Sequence, residues 1–255
     1  MTPAMAAPLT IVVFSHNDAH QIERCLRACR FATELILLDD FSSDRTIEIA
    51  QTLVDTIVQH KLDNFPAQRN YGVALGQQPW VMLVDSDEEI TAALRHEIET
   101  VLQTPDETVT SFQIWRRPWV LGQPLNQLWQ DDRGPKLYRR GAVRFSGLMH
   151  EQVHLEGKQQ NLQSPLDHYC FQSVGHYAQK TNHYTDLEAR EYFERKEPVT
   201  KRIMFFACTG MVSQKFLAHR GYRDGMRGLI IALLAGYYRF LVYAKLWELY
   251  QQESL

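Results

Sequence analysis

Two carboxylates with one residue between them follow directly on a short apolar run. Asp85 and Asp87 come after residues 80–84, whose side chains are typical of a buried strand. Alternate residues of an extended segment point to the same side, so both carboxylates can face one site. Two hard oxygen ligands suit Mg²⁺ or Mn²⁺ that bridges a diphosphate, and such a cation offsets the charge on a leaving diphosphate. The spacing therefore predicts a divalent metal bound together with a phosphorylated ligand.

Two further apolar runs also end in polar residues. Residues 9–14 lead into Ser15 and Asn17, and residues 35–38 lead into Asp39. Ligands of open α/β sheets bind beyond the carboxyl ends of the strands, and carboxylates at neighbouring strand ends repel unless a cation or hydrogen-bond donors offset them. One acidic strand end is usually a helix cap, but the set of three points to a common ligand site.

The strands that would position these residues alternate with helical patterns. Runs that predict strands lie at 9–14, 35–38, 56–59 and 80–84. This alternation is typical of parallel strands in an α/β layer structure. Residues 116–172 are expected to form an irregular or antiparallel extension, and residues 173–255 are expected to be helical. We therefore divide the chain into the segments 1–115, 116–172 and 173–255.

Charge is distributed unevenly along the 255 residues. The chain carries 27 Lys and Arg against 30 Asp and Glu, and the net charge of −3 argues against a general nucleic-acid binder. Residues 1–115 carry a net charge of −10, and residues 116–255 carry a net charge of +7. The acidic part suits a bound metal, and the basic part suits an anion or an anionic surface. Four cysteines without a CxxC pair predict reduced thiols, and the N-terminal segment does not resemble a secretion signal, so we expect a cytoplasmic protein.

Residues 228–247 have almost the length of a membrane span. Arg239 interrupts this stretch, and its tyrosine hydroxyls do not fit a lipid core, so a true span is the least favoured interpretation. A buried C-terminal helix and a helix lying in the membrane interface remain as alternatives. Basic residues just before the stretch favour the interface: Lys215, Arg220, Arg223 and Arg227.

Several stretches resemble the inverting glycosyltransferases of family 2, which have the GT-A fold. The motifs that carry the resemblance are residues 10–26, the Leu-Leu-Asp-Asp-Phe-Ser-Ser-Asp-Arg-Thr stretch at 37–46, residues 67–71 and residues 80–88. Later motifs resemble the branch that includes lipopolysaccharide core glucosyltransferases, namely residues 136–141, 144–147, 150–151, 165–169, 180–184 and 222–225. The resemblance implies a GT-A, Rossmann-like α/β sheet with a C-terminal helical extension. Residues 1–115 would bind the nucleotide-sugar, residues 116–172 would form the acceptor side, and residues 173–255 would associate with a membrane.

The resemblance also implies roles for individual residues. Asp39 corresponds to the carboxylate that binds the donor nucleobase, with Ser15 and Asn17 also in the donor site. Arg69 lies in a stretch near the nucleotide, where it can pair with phosphate or with Asp39. Asp85 is expected near the ribose or the metal, Asp87 on the metal, and His150 is expected to complete the metal or diphosphate contacts. Asp40 and Phe41 stand where the family usually carries two small residues.

An inverting transfer needs a base that takes the proton of the acceptor hydroxyl. The candidates are Asp131, Asp132 and Glu151, and we favour Asp132, followed by Glu151. The basic residues Arg116, Arg117, Lys136, Arg139 and Arg140 form a group that either binds the donor diphosphate or an anionic acceptor, or is simply solvated.

The resulting hypothesis is a metal-dependent glycosyltransferase that uses Mg²⁺ or Mn²⁺ and a UDP-sugar, with glucose the sugar that the branch implies. The expected acceptor is a hydroxyl of a lipid-linked or lipopolysaccharide-type glycan at the inner face of the cytoplasmic membrane, where the protein would be peripheral. One alternative is a synthase that loads a sugar onto polyprenyl phosphate. A second is a non-catalytic module that binds nucleotide-sugars.

Overall fold

A computed structural model describes residues 7–125, 127–128, 132–147, 152–171 and 173–253. The chain divides into two units. The first, called the α/β unit, comprises residues 1–117 and 131–168. The second, called the helical unit, comprises residues 118–130 and Tyr169–Leu255. The proposed division into three consecutive segments stays a prediction.

Four parallel strands form the first half of the main sheet. They are β1 (Ala7–Ser15), β2 (Ala32–Asp39), β3 (Thr56–Gln59) and β4 (Trp80–Asp85), in the spatial order β3-β2-β1-β4. The helices of this unit are α1 (Ile22–Cys29), α2 (Thr46–Ala50), α3 (Phe65–Leu75) and α4 (Ala92–Gln103). Strands β1 and β4 are buried along most of their length, which explains their continuous apolar sequences. All four predicted strands are present.

The sheet continues with mostly antiparallel strands in the order β8-β6-β12-β5. The bounds are β5 (Glu88–Ile90), β6 (Val109–Val120), β7 (Gln123–Pro124), β8 (Arg133–Arg139), β9 (Val143–Ser146), β10 (Gln152–Leu155), β11 (Lys158–Asn161) and β12 (Leu166–Phe171). Strand β8 is antiparallel to β4, and β12 is antiparallel to β5. The expected antiparallel extension is therefore part of the same sheet.

The register of the parallel strands brings three strand ends to one edge. Ser15 at the end of β1 is paired with Asp39 at the end of β2, and Asp39 is paired with Gln59 of β3. On the other side of β1, Phe14 is paired with Asp85 at the end of β4. Because β1 lies between β2 and β4, the predicted meeting of polar strand ends at one edge is confirmed.

Two apolar layers hold this edge in place. Ile11 and Val13 of β1 point into a core shared with α1, while Val12 points into a second core on the other face. Helix α1 buries Ile22, Cys25, Leu26 and Cys29, which lie on one helical face at spacings of three and four residues. The predicted α/β class with a helical C-terminal part is confirmed.

The helical unit contains three long helices. They are α5 (Val174–Glu194), α6 (Lys201–Ser213) and α7 (Gly225–Glu253), with a π-helical turn at Gln214–Ala218 and a 3₁₀ turn at Gly221–Asp224 before α7. Helix α7 packs against α5 and α6. Within the part of the chain that the structure describes, the stretch Gly221–Glu253 is long and apolar enough for a membrane span, although buried helices of other proteins share that property.

Candidate functional site

Asp39 is fully buried at the end of β2 and is held by three neighbouring side chains. Its Oδ1 accepts hydrogen bonds from Ser15 Oγ at 2.9 Å and Ser42 Oγ at 2.5 Å. Its Oδ2 accepts from the Ser42 backbone at 2.8 Å and from Gln59 Nε2 at 3.5 Å. Asp39 therefore joins the ends of β1, β2 and β3, as a buried charge with several donors can.

Asp40, the next residue, is more accessible. Its side chain is 23% exposed, with Oδ2 3.7 Å from His16 Nδ1. Its Oδ1 accepts a hydrogen bond from the Leu62 backbone at 3.0 Å. The carboxylate that a ligand can reach at this strand end is therefore that of Asp40, which the sequence analysis did not place in the site.

Asn17 and Phe41 shape the loops after β1 and β2. Asn17 has φ 56° and accepts a hydrogen bond from the Ser43 backbone at 2.8 Å through its amide oxygen. Phe41 has φ 49° and is 57% exposed. A positive φ is uncommon for a bulky residue and stores strain, which is found most often at functional sites.

Asp85 is paired with two cations. Lys136 Nζ lies 2.9 Å from its Oδ2, and Arg69 Nη2 lies 3.4 Å from its Oδ1. Burial would raise the pKa of the Asp85 carboxyl, but Arg69 and Lys136 hold that pKa well below its usual range. The sequence left phosphate and Asp39 open as partners of Arg69, and in the structure its guanidinium faces Asp85.

Glu88 is a site residue that the sequence analysis missed. It is fully buried, and its Oε2 accepts from Lys136 Nζ at 2.8 Å and from the Asp85 backbone at 3.0 Å. Its Oε1 has no hydrogen-bond partner within the described chain. Lys136 reaches this position because β8 pairs with β4 through Leu137 and Met82, a contact that local spacing does not reveal.

Asp87 faces a different neighbour from Asp85. Residues 86–87 form a turn between β4 and β5, so the alternation of an extended strand does not govern the two carboxylates. Asp87 Oδ2 lies 3.5 Å from His168 Nε2, and both side chains are mostly buried. His168 arrives through the antiparallel pairing of β12 with β5, where it is opposite Glu88.

Asp87 and His168 have the chemistry of metal ligands. A carboxylate and a neutral imidazole leave the remaining coordination positions to phosphate oxygens and water, as Mg²⁺ and Mn²⁺ sites commonly do. Among the described residues no group of three or more His, Cys, Asp or Glu could hold a metal ion, so Asp87 and His168 would supply two protein ligands at most. His150 and Glu151, as well as Asp131, lie outside the described residues.

Asp132 is paired with Arg116. Arg116 Nη2 donates to Asp132 Oδ1 at 2.6 Å, and the Asp132 side chain is 29% exposed. Burial would lower the pKa of the Arg116 guanidinium, but the hydrogen bond with Asp132 raises it, and the charges of Glu88 and Asp85 add to the rise. The Arg116–Asp132 ion pair thus links β6 to the segment that leads into β8.

The basic residues that were predicted to act as a group make separate contacts. Arg117 binds both oxygens of the mostly buried Asp167, at 2.6 and 2.9 Å. Arg139 lies over the ring of Trp80, 5.1 Å from the ring centre. Since Lys136 is also paired, this group does not form one solvated cluster.

Two polar links connect the loops of the site. Ser86 Oγ donates to Asp18 Oδ2 at 2.6 Å, which ties the turn after β4 to the loop after β1. Asp44 accepts from the backbones of Ala19 at 3.1 Å and Thr46 at 2.9 Å, which ties that same loop to the start of α2. Asp44 therefore holds these two segments together.

The sequence matches a known protein family and is similar to known proteins. Residues 10–147 match the family described as Glycosyl transferase family 2. The chain is 25% identical to the lipopolysaccharide core biosynthesis glycosyltransferase LpsC of Rhizobium meliloti, across 94% of this chain and 92% of that protein. It is 24% identical to an uncharacterized glycosyltransferase of Rickettsia bellii, across 98% of this chain and 89% of that protein.

One solved structure is also similar to this chain. The mannosyltransferase PcManGT of Pyrobaculum calidifontis, in complex with GDP-Man and Mn²⁺, is 14% identical with a TM-score of 0.48, and the match covers 93% of this chain and 75% of that one. The family match across residues 10–147, together with the strand order, confirms the predicted GT-A class of fold.

Proposed function

The chain belongs to glycosyl transferase family 2 and is a glycosyltransferase, and on that premise we propose that it transfers a sugar, with inversion, from a UDP-sugar to a glycan hydroxyl with the help of a divalent cation. The observation that carries the proposal is the meeting of three strand ends at one edge of the sheet. Asp39 and Asp40 lie at one of these ends, and Asp85 lies at another, with Asp87 in the turn that follows it.

The nucleobase is proposed to bind at the loops that follow β1 and β2. Asp40 presents an accessible carboxylate there, and a carboxylate is a good acceptor for the imide N–H of uracil. Asp39 takes part through its hydrogen bonds to Ser15 and Ser42, which hold the loops in place. Asn17 fixes the neighbouring backbone, so its role toward the donor is to shape the pocket.

The ribose and diphosphate are proposed to lie toward the end of β4. Asp85 accepts a ribose hydroxyl, and Lys136 keeps its carboxylate ionised and oriented. Arg69 has a planar guanidinium with several donors, which suits a phosphate group next to Asp85. Two protein cations at this position reduce the repulsion between Asp85 and an incoming diphosphate.

The divalent cation is proposed to bind at Asp87 and His168. Both side chains are of types that ligate Mn²⁺, and they lie next to the carboxylate assigned to the ribose. When bound, the cation would offset the charge that builds up on the leaving diphosphate. His150 stays a predicted further ligand.

Asp132 is proposed as the base. Its Oδ1 accepts a hydrogen bond from Arg116 Nη2, while its Oδ2 makes no hydrogen bond within the described chain. The carboxylate takes the proton of the acceptor hydroxyl as the hydroxyl oxygen bonds to the anomeric carbon and the bond from that carbon to the diphosphate breaks. Glu151 is the second candidate for this role.

The proposed acceptor is a lipopolysaccharide-type glycan. The support is the similarity over almost the whole chain to a protein named for lipopolysaccharide core biosynthesis. Glucose is the first sugar to test, because the motifs after residue 136 resemble those of core glucosyltransferases.

The experiment that tests the proposal measures UDP release from UDP-glucose with Mn²⁺ and truncated lipopolysaccharide core as acceptor. We expect release that depends on both the acceptor and the metal, with inversion at the anomeric carbon by NMR. A panel of other UDP- and GDP-sugars serves as the control for donor identity. Absence of turnover with every donor, together with no Mn²⁺-assisted UDP binding in calorimetry, would contradict the proposal.

A further inference from the structure

One face of α7 is apolar and exposed to solvent. Its large side chains are between 36% and 71% exposed, and they are Met226, Leu229, Leu233, Tyr237, Phe240 and Trp247. At about 100° per residue these positions fall within an arc of about 80°, and at about 1.5 Å per residue they extend over about 32 Å. The exposed residues therefore form a continuous stripe along one side of the helix, called here the α7 stripe.

The remaining sides of α7 are fastened to the helical unit. Gly236 approaches α6 so closely that a Cβ atom there would lie 2.5 Å from Val212 Cγ2. Arg239 Nη1 lies 2.6 Å from Glu188 Oε1, and Lys245 Nζ lies 2.6 Å from Asp186 Oδ1, both carboxylates belonging to α5. A transmembrane placement would carry these charged groups into hydrocarbon, which is costly. The helix is thus built to expose one side only.

Helix α6 and the turn after it add further exposed apolar residues to the same unit. Phe205 and Phe206 of α6 are 61% and 62% exposed, and Leu217 in the π-helical turn is 60% exposed. Exposed apolar patches of this extent are rare on proteins that have no partner for them. Phe, Tyr and Trp beside Leu are the composition of helices that lie at the depth of lipid headgroups.

Positive charge accompanies this apolar surface. Residues 200–227 contain six Lys and Arg and a single acidic residue, Asp224. The Asp224 carboxylate accepts hydrogen bonds from the backbones of Gln127 and Leu128, at 3.2 and 3.0 Å, so it is already used within the unit. Arg220 and Arg223 are exposed just before α7. This charge suits an anionic surface, and it opposes pairing of two copies through the same face, which would bring like charges together.

We propose that the α7 stripe, with the exposed residues of α6 and the basic residues at 200–227, forms a docking face that lies in the headgroup region of an anionic bilayer without crossing it. Apolar side chains supply burial in the interface, and the basic residues supply attraction to anionic lipid. The inference goes beyond the proposed transfer reaction, because no residue of the candidate site takes part in it.

The test is flotation of the full-length protein with vesicles of phosphatidylethanolamine, with or without phosphatidylglycerol. We expect binding to the anionic vesicles that weakens in high salt and is released by alkaline carbonate. The variant Leu233→Glu/Phe240→Glu should bind at least about tenfold more weakly, since two apolar contacts become charges. Gln51→Glu/Gln103→Glu, which adds the same charge at exposed positions of the α/β unit, should bind nearly as well as the unchanged protein. The affinity of Arg220→Glu/Arg223→Glu for anionic vesicles should fall about fivefold or more for each basic residue removed.

Several outcomes would overturn the inference. They are no flotation of the unchanged protein, equal flotation of the stripe and control variants, or retention in the membrane after carbonate, which would indicate a span. Light scattering tests whether the face instead binds a second copy of the chain. A dimer of the unchanged protein that becomes a monomer in the stripe variant, without vesicle binding, would assign the face to dimerisation. Circular dichroism of the same samples reports folding, and Mn²⁺-assisted UDP binding tests the proposed function separately.

Discussion

The ammonium group of Lys136 lies 2.9 Å from the carboxylate of Asp85. The protein therefore supplies its own cation to the first of the two carboxylates after β4, whereas the second, Asp87, faces His168. The two aspartates are placed in different electrostatic surroundings although one residue separates them. This difference is the basis for giving Asp85 to the ribose and Asp87 to the metal.

Lys136→Met should lower the free energy of unfolding by about 3–5 kcal/mol, because it leaves the buried Glu88 carboxylate without its cation. Urea denaturation followed by circular dichroism measures the change. Glu88→Gln in the same chain should restore part of the loss, since the amide carries no charge. If the two single changes simply add in the double variant, the pair is not coupled as the structure indicates.

Asp87→Asn and His168→Ala should each weaken Mn²⁺ binding in the presence of UDP by about 10- to 100-fold. Asp85→Asn should affect the affinity for Mn²⁺ less, because Lys136 and Arg69 already occupy its carboxylate. Calorimetric titration of Mn²⁺ into the protein with saturating UDP measures both effects. A larger loss for Asp85→Asn than for Asp87→Asn would reverse the assignment.

Asp132→Asn should reduce kcat by about 10²- to 10⁴-fold and leave the KM for the donor nearly unchanged, because the base acts on the acceptor. Steady-state kinetics with UDP-glucose measure this split, and Glu151→Gln is the parallel variant. Retention of most activity by both variants would favour an acceptor that needs no base, such as a polyprenyl phosphate.

Asp40→Asn should raise the Kd for UDP about tenfold without a change in Tm, since a charged hydrogen bond to the ligand is lost. Asp39→Ala should instead destabilise the fold by about 1–3 kcal/mol, because the buried donors of Ser15 and Ser42 lose their acceptor. Calorimetry and thermal unfolding separate the two effects. A loss of UDP affinity in a fully stable Asp39→Ala variant would make Asp39 the direct ligand.

Asp44 should contribute stability that depends on pH. Burial is the largest single influence and raises its pKa, but the hydrogen bonds from Thr46 and the Ala19 backbone together outweigh it and lower the pKa below its usual 3.8. The contribution is therefore present above that value and is lost as the pH falls through the lower folded-state pKa. The difference in unfolding free energy between the unchanged protein and Asp44→Ala should be larger at pH 7 than at pH 3. An equal difference at both pH values would contradict this.

The sequence predicted the strand ends but only part of what surrounds them. Local periodicity places Ser15, Asp39 and Asp85 at the ends of buried strands, and parallel pairing then brings them to one edge. Lys136 and His168 come from strands 50 and more residues later, through antiparallel pairings that periodicity does not encode. Asp40 was not placed in the site because spacing alone cannot tell which of two adjacent aspartates turns inward.

The hydrogen bond from Ser86 to Asp18 makes the residue between the two aspartates more than a spacer. An alanine at position 86 would leave an aspartate at 18 without this donor, and an asparagine at 18 would offer a weaker acceptor. Substitutions at either position should thus be tolerated better when both change, and directed evolution of this enzyme should treat positions 18 and 86 as one combined library site.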